Sequence, residues 1–371
     1  MRLLSTNNKS SFAYFTLTQR FPEIIQSIIS NNVFDEGVNK KLMCLKNSIP
    51  HGKLELLRSD SKVNEEINTE ITKHNYTWDN VPFLFVENYL YHKLCEITGY
   101  KNKRTDFFAY KKNEDVINKL PQMTSVIAEF NNILELPFDE SASIIVHLNL
   151  SGNMADLSHL SALKTDKIKL LIDHTDKLPN KFRQAKRIDI ILDNSGEELF
   201  YDLLLTYWFL KKTNIEKINL HFKTMPYFVS DALISDYRFL IEQLTKDDKN
   251  KNFVLSIKEY VKNGKIVLCS NDFWSDGYNF NQMPESLLKE MNQSDLLIFK
   301  GDLNYRKLVE DRDWNYTTKT SDLIDYFETD VLIIRVLKSE VIVGLQKENV
   351  PSYENKEWTY NAKYGIIEFL C

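Results

Sequence analysis

Asp193 and Asn194 set a carboxylate beside an amide oxygen, and Asp231 offers a second carboxylate about one strand-helix unit later. Oxygen donors of this kind hold hard divalent cations, and three of them leave positions open for water and a substrate. Two further polar runs could work with such an ion. Lys300-Gly301-Asp302-Leu303-Asn304-Tyr305-Arg306-Lys307 joins a close turn at Gly301 to the polar groups of Asp302 and Asn304, while Arg335 and Lys338 are cations able to face a phosphate. Each also has a plainer reading. Asp-Asn is ordinary turn and N-cap chemistry, Asp231 alone reads as the cap of a following helix, and Arg335 and Lys338 fit a solvated strand end.

Position decides how these residues could meet. Residues 187–192 are a bulky, β-branched run that stops at Asp193; Ser195-Gly196 then turns the chain into a helix marked by Leu199, Leu203, Leu204, Tyr207 and Trp208. Asp193 and Asn194 therefore sit on a βα loop, and ligands of open α/β sheets bind outside the carboxyl ends of the strands. Similar runs at 168–172, 217–222, 265–269, 296–299 and 331–334 alternate with helical patterns, which predicts a largely parallel sheet in three α/β/α layers. The earlier chain reads as helices, at 21–29, at 38–47 and from Phe83 to near Gly99. Glu87 lies within the aromatic stripe of that last helix, either at its edge, the favoured position, or turned toward a cavity where it would touch substrate. The run 144–148 fits a strand or a helix, with helix preferred. The expectation is α/β: a mainly helical portion, 1–140, packed on an α/β/α unit, 141–371.

Composition narrows the class. With 43% hydrophobic and 27% charged residues the chain can bury a full core, and 47 basic against 52 acidic residues leave no basic block for nucleic acid. Cys44, Cys95, Cys269 and Cys371 are scattered without Cys-x-x-Cys spacing, so they read as reduced and mostly buried thiols rather than a zinc cage or disulfide frame. His147 and His159 lack ligand spacing and read as structural. No signal-type segment or membrane-length apolar run is present, and the cytoplasm is the expected compartment. With 10 Gly and no Gly-x-Gly-x-x-Gly or Gly-x-x-x-x-Gly-Lys, the usual dinucleotide and P-loop fingerprints are missing.

Three runs carry a resemblance. Leu192-Asp193-Asn194-Ser195-Gly196-Glu197-Glu198-Leu199, the Lys300 to Lys307 run, and Ser151-Gly152-Asn153-Met154-Ala155-Asp156-Leu157-Ser158 resemble the damage-control phosphatases, more narrowly the subgroup of acidic-residue methyltransferase-like proteins. Ser11-Phe12-Ala13-Tyr14, Arg20, Pro22 and residues 78–91 resemble it too. The resemblance implies a helical amino-terminal portion, an α/β/α domain, and hydrolysis of phosphate esters with a divalent metal held by Asp193, Asn194 and Asp231. Two departures stand out: the subgroup's Arg-Thr-x-Lys is Arg335-Val336-Leu337-Lys338, and its customary Trp is Ser151.

The resemblance implies hydrolysis of small sugar phosphates, fructose phosphates among them. Mn²⁺ or Mg²⁺ is the expected cofactor, with Co²⁺ or Ni²⁺ as alternatives. Lys338 and Arg335 would stabilise phosphoryl oxygens, Asp302 would order water, and Asn153, Asp156 and Glu87 would place the substrate. The partner is thus a small phosphate ester, with neither nucleic acid nor membrane, and the oligomeric state is open. Taken without the resemblance, Asn153, Asp156 and Ser158 read rather as a C-cap followed by a new N-cap. The rival functions are S-adenosylmethionine-dependent methylation of protein carboxylates, which lacks a Gly-rich turn here, and a non-catalytic binding role.

Overall fold

Strand periodicity is nearly invisible in the central strands because both their faces are covered. In the computed structural model, which describes residues 1–150, 152 and 168–371, seven strands form one sheet: β1 (Lys169–Asp173), β2 (Arg187–Ile191), β3 (Lys217–Phe222), β4 (Ile266–Ser270), β5 (Leu296–Lys300), β6 (Asp330–Val336) and β7 (Tyr364–Leu370). Their order is β1-β7-β6-β5-β2-β3-β4. From β6 to β4 all neighbours are parallel; β7 runs antiparallel to β6 and parallel to β1. Side chains alternate between the faces: Leu296 and Ile298 enter one apolar cluster and Leu297 and Phe299 the other, so a strand buried on both sides reads as a continuous apolar run.

Chain order makes the site's location predictable. The chain proceeds from β2 outward to β3 and β4, then crosses back to place β5 on the other side of β2 and β6 beyond it. The reversal leaves a crevice outside the carboxyl ends of β2 and β5, the usual ligand position in open α/β sheets.

Helices dominate before β1, as the sequence suggests. Pro22 opens the helix Phe21–Asn31, Asp35 caps Glu36–Ser48 through its side chain, and Phe83–Thr98 ends at Gly99 with φ +73°. The ambiguous 144–148 run is helical, within Phe138–Leu150. An apolar cluster centred on these amino-terminal helices reaches Tyr227 and Leu303, two residues on the loop and helix that follow β3 and β5. The long helix Ala109–Glu135 instead joins the cluster on one face of the sheet, through Val116, Met123, Ile127 and Phe130.

Two expectations need correction, and one strand lies outside the predicted set. Cys44 and Cys371 are exposed and Cys95 and Cys269 half-buried, so the thiols are free but not mostly buried. Arg335 lies inside β6 and is fully buried, which excludes a solvated strand end. Strand β7 interrupts its apolar run with Gly365 and Glu368 and is not evident from the pattern. Among the described residues, no helix is long and apolar enough to cross a membrane.

Candidate active site

The loops after β2 and β3 are fastened to each other before any ligand is considered. The amide of Ala232 donates to the Asp193 carbonyl at 2.8 Å, Ser195 donates to the Ser230 carbonyl at 2.7 Å, and Asn194 and Asp231 form an antiparallel bridge. These backbone bonds bring Asp193, Asn194 and Asp231 together. Asp231 is not a helix cap: the helix Ile234–Thr245 starts after Leu233, whose amide bonds the Asp236 carboxylate at 2.8 Å. The loop needs unusual backbone to turn here, with φ +41° at Phe228 and +69° at Val229. A β-branched residue at positive φ is strained, and such strain gathers where surroundings over-determine a functional loop. The surroundings do so. Tyr91 stacks on Phe228 at 4.9 Å, and the buried Tyr227 hydroxyl donates to Asn88 Oδ1 at 2.8 Å.

Lys112, on the helix Ala109–Glu135, is the main tie from the helical part. Its buried ammonium donates to the Asp231 carbonyl and to Asp236 Oδ2, each at 2.8 Å, and pairs with Asp106 at 2.9 Å. From the other side, Asn304 donates to the Leu192 carbonyl at 3.0 Å and accepts from Lys223 Nζ at 3.1 Å. Lys223 in turn stands 3.6 Å from Asp231 Oδ2. Asn304 therefore lies behind the rim, positioning a cation and the end of β2.

Glu198 completes the carboxylate group. The Asn194 amide nitrogen donates to Asp193 Oδ2 and to Glu198 Oε2, both at 2.9 Å, while its oxygen accepts from Ser230 Oγ at 2.6 Å. Rotation of the amide about its terminal torsion would exchange nitrogen for oxygen and offer a cation ligand. Burial, with the charges of Glu198 and Asp231, pushes the Asp193 carboxyl well above its ordinary value against the opposing pull of Lys223 and Lys338. Burial likewise raises Asp231 to about 6, although Lys223 and Lys112 oppose it. Asp231 Oδ2 has no hydrogen-bond partner. Crowded, buried, under-satisfied carboxylates are the environment a divalent cation relieves, so the donor set fits a metal. Among the described residues no group of three His, Cys, Asp or Glu side chains stands at metal-holding geometry. The candidate set is instead two carboxylates and an amide.

Asp302 and Arg335 form a fixed pair. Arg335 reaches Asp302 Oδ1 from Nε at 2.9 Å and from a terminal nitrogen at 2.7 Å, and its guanidinium lies 4.0 Å above the Tyr305 ring. Arg335 and Arg306 hold the Asp302 carboxyl below its ordinary value despite its burial. Asp302 also accepts the Lys338 amide at 2.9 Å, which fixes the turn carrying Lys338 while leaving that side chain exposed.

Two cavities meet here. A pocket of about 120 Å³ is lined by Asp193, Glu198, Lys300, Asp302, Val336 and Lys338 among others, and a larger one of about 510 Å³ lies between the strand ends and the helical part. Asp193, Asp302 and Lys338 line both. Val336 thus puts an apolar side chain where the resemblance implies a hydroxyl. Glu87 lines the larger cavity rather than the edge of its helix: it is buried and paired with Arg306 at 2.7 Å, and burial raises it to about 7. Asn153 and Asp156 lie outside the described residues. Sequence reading missed Glu198, Lys223 and Lys112. Glu198, one helical turn after Asn194, could have been found by spacing; Lys112 meets Asp231 and Asp236 only through the tertiary fold and could not.

Comparison with known proteins agrees with this architecture. The damage-control phosphatase ARMT1-like domain matches residues 16–352. Damage-control phosphatase ARMT1 of Bos taurus is 30% identical, with 99% of this chain and 98% of that protein covered, and its Macaca fascicularis counterpart is 29% identical with the same coverage. Among solved structures, a DUF89 family protein from Pyrococcus horikoshii has the same overall fold, with a TM-score of 0.52 and 16% identity over 95% of this chain and 97% of that one. By this family match across most of its length, on a sheet whose strand ends carry these residues, the chain belongs to the ARMT1-like damage-control phosphatases.

Proposed function

We propose that the chain is a metal-dependent phosphomonoester hydrolase acting on small sugar phosphates. The observation that carries this reading is the placement of Asp193 and Asp231 at adjoining strand ends, facing a cavity shared with Asp302 and Lys338. Asp193, Asn194 and Asp231 would hold the ion. When bound, a divalent metal supplies charge neutralisation at the phosphoryl group and lowers the pKa of water.

The chain's own residues do the remaining work. Lys338 is exposed at the junction of the two cavities, where its ammonium can pair with phosphoryl oxygens as negative charge shifts during in-line displacement. Asp302 remains ionised beside Arg335 and is therefore a weak base. It suits a group that orients water by accepting a hydrogen bond better than one that stores a proton. Phe12, Tyr91 and Phe108 line the larger cavity and give apolar faces for the organic part of the ester.

The test is a phosphate-release screen over hexose, pentose and triose phosphates with Mn²⁺, Mg²⁺, Co²⁺ or Ni²⁺. Release that needs a metal and stops with chelator is expected. Release unaffected by chelation, or none from any ester, would sink the reading.

A further inference from the structure

The larger cavity has a second polar end, far in sequence from the carboxylates. Its amino-terminal wall is one helical run, Phe12–Phe15 and Phe21–Asn31, joined through a π-helical turn at Thr16–Arg20 in which the Phe21 amide bonds the Thr16 carbonyl. Such turns widen a helix by one residue and recur at functional sites. Here the turn carries Thr16 and Arg20, and both line the cavity.

One side-chain observation points to a ligand, at Thr16, and Arg20 beside it is an exposed cation lining the same cavity. Thr16 is 2% exposed, yet its hydroxyl has no hydrogen-bond partner. A helical threonine can normally satisfy itself on the carbonyl four residues back, as Thr18 does with Tyr14 at 2.9 Å. Arg20 has no ion-pair partner among the described residues, although its charge is felt by Glu87 and Tyr91. Glu87 is already engaged with Arg306, which also pairs with Asp311 at 2.7 Å, so it does not neutralise Arg20 by contact. A volume of about 510 Å³ is within the range of small-molecule sites and exceeds what a phosphoryl group fills.

We infer that Thr16 and Arg20 form a distal subsite that hydrogen-bonds oxygens at the end of the substrate remote from its phosphate. They are specificity-determining residues, and this role rests on the phosphatase reading above. The chemistry recognised is an oxygen-bearing carbon chain long enough to cross the cavity. Tyr91 and Phe12 face its C–H surfaces, Thr16 donates to or accepts from a hydroxyl, and Arg20 donates to one or two oxygens.

The experiment compares fructose 6-phosphate with glycerol 3-phosphate, whose organic part is half as long. The measured quantity is the ratio of kcat/KM for the longer to the shorter ester, in wild type, Thr16→Val, Thr16→Ser and Arg20→Gln, with Mn²⁺ present. Thr16→Val should lower the ratio roughly three- to tenfold and Arg20→Gln about tenfold or more, chiefly through KM, while Thr16→Ser retains it. A ratio equal to wild type in both Thr16→Val and Arg20→Gln overturns the subsite. Calorimetric binding of fructose 6-phosphate to the same proteins separates the two readings. If wild type releases no phosphate from either ester the phosphatase reading fails, and the subsite then stands or falls on whether fructose 6-phosphate binds more weakly to Thr16→Val and Arg20→Gln.

Discussion

Gly301 and Asp193 approach so closely that neither can change alone. A Cβ on Gly301 would lie 1.9 Å from Asp193 Oδ2, and Gly301 also has φ +78°. Gly301→Ala must therefore push the Asp193 carboxylate aside as well as strain the backbone. Lys338 is the opposite case, an exposed side chain whose backbone alone is anchored to Asp302. Gly301→Ala should weaken Mn²⁺ binding at least tenfold, whereas Lys338→Ala should leave it within about threefold and lower turnover by roughly 10²–10³. Metal titration by calorimetry beside steady-state kinetics separates the two. Equal losses of metal affinity in both variants would contradict the division of labour. The strand end at Asp193 and Asn194 was legible because a polar pair stops a bulky run, whereas Asp231, read by itself as a helix cap, joined them only through the resemblance. The roles of Arg335 and Glu87 were not legible, because each depends on a partner, Asp302 or Arg306, brought from another part of the chain.

Most elements follow from local pattern: capped helices before β1, then strands alternating with helices. Strand β7 escaped notice because Glu368 breaks its apolar run, and its place between β1 and β6 follows from topology alone. The loop that carries Asp231 shows the same limit more sharply. Nothing near residues 227–231 announces that Phe228 and Val229 take positive φ, since the forces holding them there come from Tyr91, Asn88 and Lys112. Lys112 is the best place to test that dependence. Replacement by Met keeps the length of the side chain but leaves Asp106 and Asp236 buried without their cation, at a cost of about 3–5 kcal/mol. Lys112→Met should therefore lower stability in urea by that amount and weaken Mn²⁺ affinity. Adding Asp236→Asn should recover part of the stability without restoring the metal affinity, because the Asp231 carbonyl still lacks its donor. Full recovery of metal affinity in the double variant would mean that Lys112 serves the fold only.

The whole molecule carries buried acids that tie its stability to pH. Burial raises Glu368 to about 7, with Lys177 opposing, so folding favours the protonated form. An acid raised from an ordinary value near 4.5 imposes no penalty in more acidic solution; stability then falls as pH rises from about 4.5 to 7 and stays lower above that. Glu368→Gln, a neutral isostere, should raise stability at pH 8 by on the order of 3 kcal/mol while changing it little at pH 5. Urea unfolding of both proteins at the two pH values checks this, and an equal effect at both would show that Glu368 does not titrate as described. A global readout also decides between reaction classes. The helical part, through Lys112, and the sheet, through Asn304 and Lys223, both converge on Asp231, so a cation bound there is linked to the folding of both parts. A metal held only by the folded state stabilises by mass action, about 2.7 kcal/mol at a hundredfold excess over Kd. Among the described residues an adenosyl cofactor has no Gly-rich turn after a strand to receive it; the residue after β2 is Leu192, and the Gly301 approach is filled by Asp193. Mn²⁺ or Mg²⁺ should therefore raise the melting temperature, chelator should reverse the rise, and S-adenosylmethionine should leave it unchanged. Phosphate release should follow the metal alone. Stabilisation by S-adenosylmethionine with phosphate release indifferent to chelator would instead favour methyl transfer, because the ligand bound by the folded state would then be the methyl donor and not the ion.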